Sequence, residues 1–244
     1  MLFLKRGFDG TKNFKLQYSQ GRAFFSRQRI WYALDKLFHK VQPDIIFLQE
    51  FLEEPQAEAL LEKLADKLWP HYSFGRNATT GNYHYGNAIL SKFPFEESFN
   101  TDISTNPFER RGLLYGRIRT PSKKRIHLYC SHLDLRKQGR QKQIAKIKNV
   151  LHSQVEDHDP FILGGDFNDW TQRLHSEIGL SLNAKEVFTS LGQELPLTCP
   201  SIYPAFSLDR IYYRGFSPLA GRVLSTKTLR LLSDHLPLTA VLKF

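Results

Sequence analysis

An α/β domain is the fold class this sequence predicts, and three observations carry the prediction. Short apolar runs, Ile45-Ile46-Phe47-Leu48 and Phe161-Ile162-Leu163, are bounded by turn residues and read as buried strands. Elsewhere Leu60, Leu61, Leu64 and Leu68, and later Ile144, Ile147 and Leu151, recur at helical spacing. The 244 residues are 41% hydrophobic and 13% aromatic, with no internal repeat and no long Pro/Gly/Ser linker, which suits one domain with a large core.

Residues 1–13 show no clear pattern and are assigned to the periphery. Phe14 to Tyr18 alternates like a half-buried strand that Gly21 ends. From Ser26, an N-cap residue, Ile30, Leu34, Leu37 and Val41 predict a helix. Pro43-Asp44 breaks it before the Ile45–Leu48 strand, which ends in Gln49-Glu50. A second helix starts at Pro55, a good first-turn residue. A short strand at Tyr72 to Phe74 and a loop rich in Gly, Asn and Thr lead to the strand Gly86–Ser91. Leu113–Ile118 and Ile126–Cys130 form neighbouring strands joined by the basic turn Pro121 to Lys124, and the second runs into Ser131-His132-Leu133-Asp134. The next helix is basic and amphipathic, with Arg136, Lys137, Arg140, Lys142, Lys146 and Lys148 outward.

After Phe161–Leu163, Gly164 and Gly165 end the strand and turn the backbone. Asp166 and Asn168 follow, two apart, and in extended backbone they point to one side. A helix near Lys185 to Leu191, a strand from Leu208 to Tyr213 carrying Asp209, the triplet Ser233-Asp234-His235 and a strand from Leu236 to Leu242 complete the chain. Glu50, His132, Asp166, Asn168 and Asp234-His235 thus fall at strand ends, where layered α/β folds assemble sites.

Composition narrows the partners. A net charge of +10 points to anions: nucleic acid, phosphorylated metabolites or anionic lipid head groups. Cys130 and Cys199 offer no disulfide framework, which suits a cytoplasmic location. The start, Met1-Leu2-Phe3-Leu4-Lys5-Arg6, does not read as a signal peptide, and no apolar run approaches the roughly 20 residues of a membrane span. Structural-zinc spacing, a G-x-S-x-G elbow, a P-loop and a dinucleotide fingerprint are all missing.

The residues at strand ends suit phosphoester hydrolysis, which needs charge neutralisation, an in-line water and help for the leaving oxygen. Glu50 and Asp234 are hard oxygen ligands fit for Mg²⁺. Asp166 can take a proton from water, and Asn168 can donate hydrogen bonds without adding charge. Asp209 can hold the His235 ring in its protonated form, and His132 offers a second donor to phosphoryl oxygens.

In order, Leu48-Gln49-Glu50, Gly86-Asn87-Ala88, Arg110-Arg111-Gly112, Ser131-His132-Leu133, Gly164-Gly165-Asp166-Phe167-Asn168, Leu208-Asp209-Arg210-Ile211 and Ser233-Asp234-His235 resemble the endonuclease/exonuclease/phosphatase superfamily, in its small single-domain bacterial form. The resemblance implies a DNase I-like four-layer α/β/β/α sandwich of two packed mixed sheets. It also implies a divalent-metal-dependent phosphoesterase without a covalent intermediate, using Mg²⁺ or Mn²⁺ and expected to be a monomer. By similarity Glu50 is the principal metal ligand, with Asp234 near the metal. Asp166 acts on the attacking water, Asn168 steadies the phosphoryl oxygens, His235 held by Asp209 stabilises the transition state, and His132 serves the phosphate or leaving group. Arg111 and Asn87 shape the substrate site. The family's first strand ends in an Asn that helps bind metal or phosphate, and here Gln17 takes that place as a longer carboxamide. Nucleic acid is the first expected substrate, with phospholipid or inositol-phosphate head groups as the alternative. A catalytically weak binding protein on the same scaffold is the reading Gln17 keeps open.

Overall fold

The computed structural model describes residues 2–5, 36–38, 40–53, 69–80, 83–156 and 158–244. Twelve strands are described: β1 (Leu2–Lys5), β2 (Ile45–Glu53), β3 (His71–Thr80), β4 (Tyr83–Ser91), β5 (Phe95–Asp102), β6 (Gly112–Arg119), β7 (Arg125–His132), β8 (Phe161–Asp166), β9 (Lys185–Glu186), β10 (Asp209–Arg214), β11 (Ser217–Val223) and β12 (Leu238–Lys243). Four helices are described from end to end, α1 (Lys137–Gln154), α2 (Arg173–Leu182), α3 (Val187–Ser190) and α4 (Lys227–Leu232), and residues 36–38 and 40–41 are also helical. The strands form two six-stranded sheets, ordered β11-β12-β1-β2-β4-β3 and β5-β6-β7-β8-β10-β9. Both are mixed, because β1 pairs with β2, and β7 with β8, in parallel among antiparallel neighbours.

Alternation of side chains explains the layers. Leu114, Ile118, Ile126, Leu128, Cys130 and Ile162 of the second sheet meet Phe47, Ile89 and Leu238 of the first in an inter-sheet core. The intervening residues Leu113, Tyr115, Tyr129, Leu163 and Tyr212 face the other way, against Ile144, Ile147 and Leu151 of α1 and Leu174, Ile178 and Leu182 of α2. A third cluster covers the far face of the first sheet, where Ile46, Leu48 and Leu90 pack with Phe38 and Trp69. Strands buried on both faces read as continuous apolar runs, which is why β2 and β8 were legible in the sequence. No described helix is long and apolar enough to cross a membrane.

Several expectations need correction. Leu2–Lys5 lies inside the first sheet between β12 and β2, not at the periphery, because a four-residue run is too short to show a period. β5 and β11 were not anticipated, and both are sheet edges whose mixed exposure blurs the alternation that marks a strand. α2 and α4 were also missed, and the helix expected near 185–191 is the bridge β9 plus the single turn α3. Gly164 and Gly165 do not stop β8, which runs through both to Asp166. Arg140 is buried, since its guanidinium donates to the carbonyls of Asp134 and Leu135. The strand at 14–18, the helix from Pro55 and most of the helix from Ser26 lie outside the described residues, as does Gln17.

Candidate active site

Strand register builds the first half of the site. In the second sheet His132 of β7 stands beside Asp166 of β8, and Asp166 beside Asp209 of β10. Residues abreast in neighbouring strands point to the same face, so an imidazole and two carboxylates form one row. Gly165 permits this close approach, because a Cβ there would lie 1.8 Å from the Ser131 carbonyl oxygen and its φ is +153°. All three row residues are buried.

The first sheet supplies the other half. Glu50 sits in β2 at a bulge, where pairing to β4 shifts register between Leu48 and Phe51, and its φ is +51°. A bulge re-aims side chains, so Glu50 lies within the strand at an irregularity and not at the strand's end as expected. Its carboxylate comes within 3.3 Å of His132 Nδ1, and the other ring nitrogen, Nε2, is 3.3 Å from Asp166. Each nitrogen also faces a donor: Arg111 at 2.9 Å from Nδ1, and the Asn168 amide nitrogen at 3.0 Å from Nε2. The tautomer decides which contacts are hydrogen bonds: with Nδ1 accepting from Arg111, Nε2–H donates to Asp166, and with Nε2 accepting from Asn168, Nδ1–H donates to Glu50.

His235 approaches from the turn before β12, and its Nδ1 lies 2.5 Å from Asp209 Oδ2. Burial alone would depress its pKa. The Asp209 carboxylate, its hydrogen bond, the Cys199 side chain and the Asp166 charge outweigh that and push it up to about 11. His235 is thus a fixed cation at neutral pH.

Asn168 departs from the extended geometry expected of it. With φ +48° it turns back, its N–H donates to Asp166 Oδ1 at 2.9 Å, and its side-chain amide donates to Leu133 O at 2.8 Å. The structure thus brings Glu50, Arg111, His132, Asp166, Asn168, Asp209 and His235 together. Asn87 lies beneath them, its amide donating to the Gly112 and Cys130 carbonyls across the two sheets, so it braces the floor. Asp234 is half-buried, and its carboxylate accepts from Ser233 Oγ at 3.5 Å; no described contact joins it to Glu50 or Asp166.

Four supporting groups went unrecognised in the sequence. Glu109 pairs with Arg111. Asp134 accepts from Thr105, Asn106 and the Arg136 backbone, which ties the loop bearing Arg111 to the start of α1. Asp169 lies 3.8 Å from the buried Arg210 guanidinium. Gln49 reaches the Cys130 sulfur at 3.1 Å. The signal for Asp134, Asp169 and Arg210 was adjacency to a motif residue, which does not disclose a partner far away in the chain.

The donor chemistry fits a hard divalent cation. Carboxylates of Glu50, Glu109, Asp166 and Asp209 face two fixed cations, Arg111 and His235, leaving a formal excess of two negative charges. Even a protonated His132 leaves one. Asp166, Asp209 and His235 place potential ligand atoms within 4.8 Å of one another. His235 Nδ1 is committed to Asp209 as a donor, however, so that nitrogen offers a metal no lone pair. The Glu50, Asp166 and Asp209 carboxylates are hard oxygen donors of the kind Mg²⁺ takes, one or two at a time, completing its shell with water and phosphate oxygen.

Comparison with known proteins bears on the fold and the family. Residues 30–235 match the Endonuclease/Exonuclease/phosphatase family. The chain is 36% identical over 232 residues to the uncharacterized protein YbhP of Escherichia coli strain K12, covering 91% of each. Danio rerio TDP2, solved in complex with a single-strand DNA product, superposes with a TM-score of 0.71 at 21% identity, covering 100% of this chain and 99% of that one. The mannosyl-6-phosphatase Bt3783 of Bacteroides thetaiotaomicron VPI-5482 gives a TM-score of 0.72 at 16% identity, with 100% of both chains covered. These likenesses bear out the DNase I-like fold of packed mixed sheets. Members of the family are hydrolytic phosphoesterases, generally dependent on a divalent metal. The chain belongs to the endonuclease/exonuclease/phosphatase family.

Proposed function

We propose that this protein is a divalent-metal-dependent phosphoesterase that hydrolyses a phosphodiester by direct attack of water, with nucleic acid as its leading substrate class. One observation carries the reading: seven side chains from Glu50 to His235, drawn from both sheets, meet around the His132–Asp166–Asp209 row. In this reading Asp166 orients the attacking water and accepts its proton. His235, kept cationic by Asp209, stabilises charge on the phosphoryl oxygens, and Arg111 adds a second cation. Asn168 fixes the ring of His132, because its amide protons are already directed at Leu133 O and that ring. His132 faces the phosphate or leaving group. Glu50 would be the principal ligand of a divalent metal, which would supply neutralisation of phosphate charge and polarisation of the phosphoryl group.

The net charge of +10 and the likeness to a protein solved with single-strand DNA support a nucleic-acid substrate. The likeness to a sugar phosphatase makes a monoester the necessary comparison. The experiment measures hydrolysis of bis(p-nitrophenyl) phosphate and p-nitrophenyl phosphate with Mg²⁺, with chelator, and by Asp166→Ala. Metal-dependent cleavage of the diester, lowered about 10²–10⁴-fold in Asp166→Ala, is the expected result. Equal rates under all conditions would reject the proposal.

A further inference from the structure

The loops around the site carry exposed aromatic side chains. Among the described residues, the exposed aromatic side chains are Tyr72, Phe108, Trp170, Tyr203, Phe206 and Phe244. Four of these six lie on loops that carry the site. Phe108 is three residues before Arg111, Trp170 two after Asn168, and Tyr203 and Phe206 precede Asp209 in the loop whose Cys199 side chain reaches His235.

These side chains are presented on fixed turns. Asn106 Oδ1 accepts from the backbone of Phe108 and Glu109, while Thr105 and Asn106 are anchored to Asp134. Arg230 donates to the carbonyls of Ser201 and Ile202, which holds the turn bearing Tyr203. Trp170 and Phe206, from different loops, meet edge to face with centroids 5.0 Å apart and form one platform. Yet Phe108 is 96% exposed and Tyr203 82%, so they bury almost no apolar area in the protein itself. Ordered turns that hold large rings in water imply a partner that covers them.

Charge says which partner. Arg110, Arg136, Lys137 and Arg173 are exposed on the same loops or on the first turns of the helices that leave them. Cations interleaved with ring faces match a chain that alternates phosphate with flat heterocycles, and arginine adds cation–π attraction to bases. In an intact duplex those heterocycle faces are hidden in the stack. A bilayer would also accept the protruding Phe108 and Tyr203, but the Trp170–Phe206 platform, 43% and 40% exposed, is half-sunk beside the site, where a stacked base reaches it and an inserting bilayer does not.

We propose that Phe108, the Trp170–Phe206 platform and Tyr203 form a stacking surface for unpaired nucleotides flanking the reacting phosphate, so that single strands or frayed ends are bound in preference to intact duplex. The position of that phosphate rests on the phosphoesterase reading; the surface itself does not.

The test uses Asp166→Ala full-length protein to suppress turnover, and fluorescence anisotropy of labelled oligothymidylate and of a labelled duplex of equal length. The single strand binds at least tenfold more tightly. Phe108→Ala, Trp170→Ala and Tyr203→Ala, made in that background, each weaken it roughly fivefold to a hundredfold. Leu219→Ala, which removes an exposed apolar group from β11, leaves it unchanged. Duplex binding as tight as single-strand binding, or aromatic variants that bind normally, would overturn the proposal. So would phosphatidylglycerol vesicles that bind the protein and lose it on Phe108→Ala while strand binding is untouched, which would assign the surface to a membrane. Hydrolysis of bis(p-nitrophenyl) phosphate by the wild type reports separately. Turnover without strand preference sinks the stacking surface alone, and strand preference in a protein inert on every ester sinks the phosphoesterase reading alone.

Discussion

At the residue scale, His235 shows how a buried imidazole becomes a fixed charge. Desolvation works against its protonated form, and Asp209 at 2.5 Å prevails. Because its folded pKa of about 11 lies above the unfolded value near 6.5, the pair's stabilisation is complete below pH 6.5. It is then lost progressively as pH rises towards 11. Measured by urea unfolding in chelator, the stability gap between wild type and Asp209→Asn should therefore shrink steadily from pH 6.5 upward; a gap that widens would contradict the pairing. The same substitution should lower turnover about 10²–10³-fold, the usual effect of losing one oriented stabilising charge. The sequence disclosed Asp209 and His235 by their motifs, but it disclosed neither the left-handed backbone of Glu50 and Asn168 nor the tie between Asn168 and His132. Those depend on a bulge and a turn whose causes are contacts with other strands.

At the scale of elements, β10 and the turn after β8 are joined by Asp169 and Arg210. Arg210 is fully buried, and none of its three guanidinium nitrogens makes a hydrogen bond among the described residues. Asp169 Oδ2 lies 3.8 Å from it and accepts from the Leu174 backbone, which sets the start of α2. Removing one member of a buried pair leaves an uncompensated charge, so Asp169→Leu should cost about 3–5 kcal/mol in urea unfolding. The double variant Asp169→Leu/Arg210→Met should recover a large part of that loss. If the two losses simply add, the pair is not coupled. Elements with apolar residues on both faces, such as β8, and the helical repeat of α1 were visible in the sequence. The edge strands β5 and β11 were not, since half-exposed chain carries a weaker pattern.

At the scale of the whole molecule, the two sheets converge on a site with an excess of negative charge. A cation that binds only the folded state adds stability by mass action, about 2.7 kcal/mol at a hundred times its dissociation constant. Mg²⁺ should therefore raise Tm by several degrees in differential scanning fluorimetry, and chelator should reverse the rise. Glu50→Gln should blunt it. An equal rise in both proteins would remove Glu50 from the metal site.

What the sequence determined by itself is the chemical inventory: the carboxylates, imidazoles and amide of the family's motifs, the strands buried on both faces, and the net charge of +10. These follow from residue identity and from local period, which travel with the chain. The tertiary structure alone decided that Leu2–Lys5 enters a sheet, that β7, β8 and β10 align His132, Asp166 and Asp209 in one row, and that Asn87 braces the floor. Register and long-range pairing set those outcomes, because a strand's neighbour is chosen by burying apolar faces across the whole fold and leaves no mark in the residues beside it.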